Sequence, residues 1–169
     1  GDFLADGLVQ SNVNLLSNRV TDPTSLAVVT VNNGQPGYQF YRAGTAERAV
    51  DTKLLHQNMP FDAGAFHLTS LAITGGTDAD EWATFFNGLA DTQVLTTLDP
   101  NVRGMLISDR QSYLERLFGL FKTVDVLKLS DEDLEWIYPN LTQNAAFEDI
   151  QRHTNAAVVI LTKGGDGAT

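Results

Sequence analysis

The chain has 169 residues and carries 11 basic against 21 acidic side chains, a formal net charge of −10. That charge opposes nucleic acid and anionic membrane as partners, so a phosphorylated ligand would need locally concentrated positive charge and backbone N–H groups. With no cysteine, disulfides, thiolate catalysis and cysteine-type zinc sites are excluded, and no apolar run approaches the roughly 20 residues of a membrane span.

In chain order, residues 24–42 read as β structure. Ser25 to Val31 is apolar and β-branched, Asn32 to Gly37 is dense in turn formers, and Tyr38 to Tyr41 follows as an aromatic strand. From residue 65 the pattern alternates strand and helix. Ala65–Thr69 reads as a strand, and Trp82, Phe85, Phe86 and Leu89 form an apolar stripe at helical spacing. Residues 94–98 form the next strand, and Leu114, Leu117, Phe118 and Phe121 the next stripe. A strand at 124–129 leads into a helix that begins at Ser130 and is ended by Pro139. A short helix over 145–152 precedes the most apolar strand, 156–161. Strands this apolar suit a parallel sheet covered by helices, so the expected fold is a three-layer α/β/α domain with a mostly parallel sheet plus a small hairpin. Core packing accounts for every aromatic in these stripes.

Three polar segments follow predicted strands directly: Asp99-Pro100-Asn101-Val102-Arg103, Ser130-Asp131-Glu132-Asp133 and Thr162-Lys163-Gly164-Gly165-Asp166-Gly167. Ligands of open parallel sheets bind outside the carboxyl ends of the strands, so these segments mark the candidate site. Asp99 and Asn101 suit a local turn. Arg103 offers a rigid donor fork for a phosphate or carboxylate, or else pairs with a surface acid. Ser130 with Asp133 three residues on reads first as a helix N-cap, and the Asp133 carboxylate is also placed to face a magnesium-bound water. The glycines at 164 and 167 allow close approach of backbone N–H groups to an anion, although a tight turn would use the same letters. Of the three histidines, His67 is expected as a hydrogen-bonded core residue on its strand.

These segments carry a resemblance. Phe40-Tyr41-Arg42-Ala43-Gly44-Thr45-Ala46-Glu47 is similar to the Phe-Tyr-Arg segment of fructokinases and 2-keto-3-deoxygluconate kinases, and Asp99-x-Asn101-x-Arg103 to their Asp-x-Asn-x-Arg. Asp125 to Glu135 and Val158 to Ala168 resemble the strand-and-turn segments that follow in that family, and Gly1-Asp2-Phe3 resembles the end of an early Gly-Asp stretch. The chain thus resembles ribokinase-like (phosphofructokinase-B-type) carbohydrate kinases along its whole length, as one incomplete kinase domain over 1–169. In it, 24–42 would contribute to a lid and 65–169 would be the βαβ core.

The resemblance implies transfer of the ATP γ-phosphoryl group to a hydroxyl of a monosaccharide or sugar acid, with ATP and Mg2+ as cofactors. By the same carry-over, Tyr41, Arg42, Asn101 and Arg103 would line the sugar, with Arg103 also stabilising the transferring anion. Lys128, Ser130, Thr162, Gly164 and Gly167 would meet the nucleotide, and Asp133 the magnesium through water. It further implies a cytoplasmic protein and a homodimer formed through the lid. Departures are the absence of the Gly-Ala-Gly-Asp motif with its base aspartate, the absence of the N-terminal sugar-contacting strand, and Ser130 and Asp133 where Asn and Glu are usual. The 169 residues alone are therefore expected to be inactive. The rival expectation is a non-catalytic nucleotide- or sugar-binding regulator of the same fold.

Overall fold

A computed structural model of the chain describes residues 1–17, 19–32 and 35–169. It divides into two compact units, Gly1–Met59 and Pro60–Thr169.

The first unit contains helix α1 (Asp2–Gln10), antiparallel strands β1 (Leu26–Asn32) and β2 (Gln35–Tyr41), and helix α2 (Thr52–Asn58). The expected hairpin is present, in register from Leu26↔Tyr41 to Asn32↔Gln35. Both strands run further toward the turn than the residue pattern indicated, because interstrand backbone pairing tolerates polar residues. Asn33 and Gly34, part of the expected turn, lie outside the described residues. Helix α2 starts where the Asp51 side chain accepts from Leu54 N at 3.1 Å, an ordinary N-cap. Among the described residues of this unit, only Arg42 and Thr45 are buried, at 8% and 7% exposure.

The second unit is a four-stranded parallel sheet of order β3 (Ala65–Thr69), β4 (Leu95–Asp99), β5 (Val126–Ser130), β6 (Val158–Thr162). Helices α3 (Thr77–Asn87), α4 (Arg110–Phe121), α5 (Asp131–Ile137) and α6 (Gln143–His153) lie between the strands in sequence. The core is built from one side chain in two along the strands (Leu68, Leu98, Leu127, Leu129 and Leu161) against Phe86, Leu117, Phe121, Leu134 and Ile150 of the helices. Each such side chain contributes about 1.5–3 kcal/mol by leaving water. The alternate side chains, among them His67, Thr97, Lys128 and Ile160, are half-buried or exposed. Neighbouring strands are consecutive in sequence, and right-handed crossovers between such strands return to the same side of a sheet, so one face is covered first. This corrects the expectation for His67. It lies on its strand and is hydrogen-bonded, Nδ1 to Thr97 Oγ1 at 2.7 Å, but at the sheet edge and exposed rather than in the core.

The amino ends of β4 and β5 are locked together by Asp125, whose Oδ2 accepts from Thr96 N at 2.7 Å and from Thr96 Oγ1 at 2.8 Å. The opposite, carboxyl ends are where the polar segments emerge.

Candidate functional site

Strands β3 to β6 end at Thr69, Asp99, Ser130 and Thr162, and the register pairs Thr69 with Asp99 and Ser130 with Thr162. The three polar segments therefore leave adjacent strands along one edge of the sheet, as their positions in the sequence predicted.

The loop after β4 is the most constrained. Asp99 Oδ1 accepts from Asn101 N at 3.1 Å, and Asn101 takes a left-handed backbone with φ of 38°. Ser70, at the end of β3, is also left-handed with φ of 46°, and its hydroxyl donates to Asn101 O at 3.2 Å. Two non-glycine residues in this conformation, bonded to each other at the edge, hold strain that only the surrounding structure maintains. Ser70 escaped the sequence reading; Thr69-Ser70 resembles any strand end, and the pairing spans 31 residues.

Arg103 stands one residue beyond Val102. Its guanidinium is exposed and donates only to Val102 O, at 3.3 Å, with no ion pair to a carboxylate among the described residues. In a chain of net charge −10 an exposed, uncompensated guanidinium at a sheet's carboxyl edge is available to an anion.

Lys128 and Asp133 are each held by neighbouring protein groups. Lys128 Nζ lies 3.2 Å from Asp99 Oδ2 across neighbouring strands, a half-buried ion pair, so its charge is already shared inside the sheet. Asp133 is only 4% exposed. One of its oxygens accepts from Ser130 N at 2.8 Å and the other from Val102 N at 2.7 Å, while Ser130 Oγ accepts from Asp133 N at 3.0 Å. The N-cap reading of Ser130 therefore holds, as a reciprocal capping box. The magnesium role expected for Asp133 meets a carboxylate committed to two backbone donors. No group of three or more His, Asp or Glu side chains suited to a metal occurs among the described residues. The donor set of this edge does not fit a magnesium ion ligated directly by protein.

The segment after β6 turns back on its own strand. Lys163 N donates to Gly167 O at 2.8 Å, Thr162 bridges Ala168, and Leu161 and Thr169 exchange backbone bonds of 2.8 and 2.9 Å. Thr162 Oγ1 donates to Leu129 O at 3.3 Å. Gly164 and Gly167 have φ of 53° and 84°, and a Cβ added at either would meet nothing within 4 Å, so the turn requires glycine for its backbone and stands open at its surface.

In the first unit, Arg42 pairs with Glu47 through Nε and Oε1, Ser25 Oγ donates to Glu47 Oε2 at 3.0 Å, and Thr45 Oγ1 donates to Arg42 O at 2.7 Å. Gly44, with φ of 64°, closes the turn. Arg42 thus has a carboxylate partner within its own motif. Tyr41, at the end of β2, is half-exposed.

With this geometry in hand, the comparisons with known proteins are specific. No family model matches the chain. A fructokinase of Rhizobium leguminosarum bv. trifolii is 31% identical over 170 residues, covering 100% of this chain and 51% of that protein. Among solved structures, fructokinase from Xylella fastidiosa superposes with a TM-score of 0.82 at 22% identity, over 99% of this chain and 55% of its own. Fructokinase from Vibrio cholerae O395, in a fructose-, ADP- and calcium-bound form, gives 0.79 at 19% identity, over 99% and 54%. The chain spans about half the length of the curated relatives it matches. The fold is that of the ribokinase-like carbohydrate kinases. The relatives of this chain are fructokinases and other sugar kinases of that family, as its motifs indicated.

Proposed function

We propose that this chain supplies sugar- and phosphate-facing loops to an ATP-dependent sugar kinase, which transfers the γ-phosphoryl group to a hydroxyl of a neutral monosaccharide of the fructose class. One observation carries the reading: the exposed guanidinium of Arg103, with no carboxylate partner among the described residues, on the loop whose neighbours along the sheet edge are the Ser130 and Thr162 turns. Phosphoryl transfer needs alignment and positive charge near the equatorial oxygens, with little covalent help from protein. Arg103 supplies that charge, Asn101 lines the acceptor side, and Thr162, Gly164 and Gly167 bind the nucleotide. Lys128 and Ser130 support that turn from the adjacent strand. ATP and Mg2+ are the cofactors, with the ion carried by the nucleotide's phosphates, its usual mode in kinases, and Asp133 acting at most through water. No base for the hydroxyl proton is assigned to a residue of this chain.

Fructose is favoured over a sugar acid because the Arg42 charge is already answered by Glu47. Tyr41 and Arg42 then serve the sugar through the turn they shape. We further propose pairing of two copies through β1 and β2, whose Leu26, Val29 and Val31 are 57%, 52% and 67% exposed, and a cytoplasmic location. No helix among the described residues is long and apolar enough to cross a membrane.

The test is ADP release by the complete gene product with fructose, ribose and 2-keto-3-deoxygluconate in parallel. Turnover is expected with fructose, and Arg103→Ala is expected to lower kcat by about 10²–10³-fold, the usual loss on removing one anion-stabilising donor. Nucleotide binding without turnover on any sugar would instead indicate the regulator, and an Arg103→Ala variant as active as the parent would remove the assigned role.

A further inference from the structure

Arg103 lies between two residues that are each fixed against the same short helix. On one side, Val102 N donates to Asp133 Oδ1 at 2.7 Å. On the other, Gly104 packs so closely on Trp136 that an added Cβ would overlap the indole nitrogen and stand 3.0 Å from Cδ1. Asp133 and Trp136 are three residues apart on α5, the spacing that puts two side chains on one helix face.

The Trp136 ring is itself held. It meets Tyr113 edge-on at 5.4 Å between centroids, and Tyr113 is 1% exposed. The Arg110 guanidinium carbon lies 5.2 Å from the indole centroid, and Arg110 Nη2 donates to Trp136 O at 3.3 Å and to Ile137 O at 2.8 Å. Asp133 is anchored through the Ser130 capping box. Beyond Gly104 the chain closes a short 3-10 turn, with Leu106 N donating to Arg103 O at 2.8 Å and Ile107 N to Gly104 O at 3.1 Å. The backbone of Arg103 is thus set from both flanks by α5, while its exposed guanidinium meets no carboxylate among the described residues.

We infer that Asp133 and Trp136 are positioning residues for Arg103, and that Gly104 is the point at which the fit to Trp136 is enforced. This rests on the proposed function, which makes Arg103 an anion-binding group. It gives the shorter Asp133 a reason of its own: the carboxylate spans two backbone donors, Val102 N on the loop after β4 and Ser130 N at the cap of α5, and so couples the loop after β4 to the start of α5. A side chain at residue 104 must push either the indole or the loop, and the loop, at the surface, moves more readily than a ring wedged between Tyr113 and Arg110.

The test follows the Arg103 Nε–H resonance of the complete gene product, labelled with 15N-arginine, during titration with inorganic phosphate. The parent is expected to show a saturable shift at Arg103. Gly104→Ala should weaken phosphate binding at least fivefold with an unchanged melting temperature, and Trp136→Leu, which removes the ring that Gly104 seats against, should weaken it as well. Asp133→Asn, which can satisfy only one of the two backbone donors, should also weaken it at least fivefold. No shift at Arg103 in the parent would defeat the anion-site reading itself. A parent that binds, with Gly104→Ala and Asp133→Asn binding equally well, would overturn the positioning role alone. Should Gly104→Ala melt early, Asp133→Asn decides by the same criterion.

Discussion

The two units of this chain are held by opposite means. The second has a continuous apolar core in which Leu120, Phe121, Leu127 and Leu129 are fully buried. The first has no buried apolar side chain among its described residues, and what it buries is Arg42 and Thr45, within a turn of hydrogen bonds. Burial of apolar surface fixes a sheet, and with it the place of every loop leaving the sheet. A polar turn fixes only its own few residues. For that reason the best-defined functional geometry lies on the second unit, where strain at Ser70 and Asn101 can be sustained.

That contrast can be broken in graded ways. Replacing Phe121, 0% exposed, by alanine should cost roughly 3–5 kcal/mol, read by urea unfolding; a loss below about 1 kcal/mol would mean that the core does not carry the unit. Glu47→Ala removes a carboxylate partner of the buried Arg42. Because Glu47 is itself 30% exposed, the cost should be about 2 kcal/mol, less than for a fully buried pair. Hydrogen exchange should then quicken at Thr45 and Ala46 and stay unchanged on β4 and β5. Quickening on both would show that the units are not independently held. Ser130→Ala removes the helix cap and should cost about 1 kcal/mol, measurable as a lower denaturation midpoint.

The smallest effect is electrostatic. The Tyr138 hydroxyl first, and then Arg152, hold the Asp149 carboxyl below the usual aspartate range. A depressed folded pKa contributes stability above the ordinary aspartate value, and this is lost as pH falls through the lower, folded value. Tyr138→Phe should move the Asp149 midpoint up toward the ordinary value in an NMR titration, and an unmoved midpoint would assign the shift to Arg152.

Much of the second unit was legible because its strands are short apolar runs and its helices carry stripes at the helical period. The edges were readable within one to three residues, and Ser130 announced its own cap. Other features were not readable, for physical reasons. Helix α1 buries nothing, so its apolar residues had no face to align with. Lys128 and Asp99 pair across 29 residues, which only the register of adjacent strands reveals. The commitment of Asp133 to Val102 depends on the β4 loop arriving beside α5.

The sequence by itself determined the alternation of strand and helix, the resemblance to sugar kinases and the identity of the three edge loops, because local periodicity and turn chemistry are properties of neighbouring residues. Only the tertiary structure decided which charges are spent and which remain available. Lys128 and Asp133 found partners on neighbouring strands and loops, and Arg103 met no carboxylate among the described residues, since such pairing depends on distances that the chain sets only once it has folded.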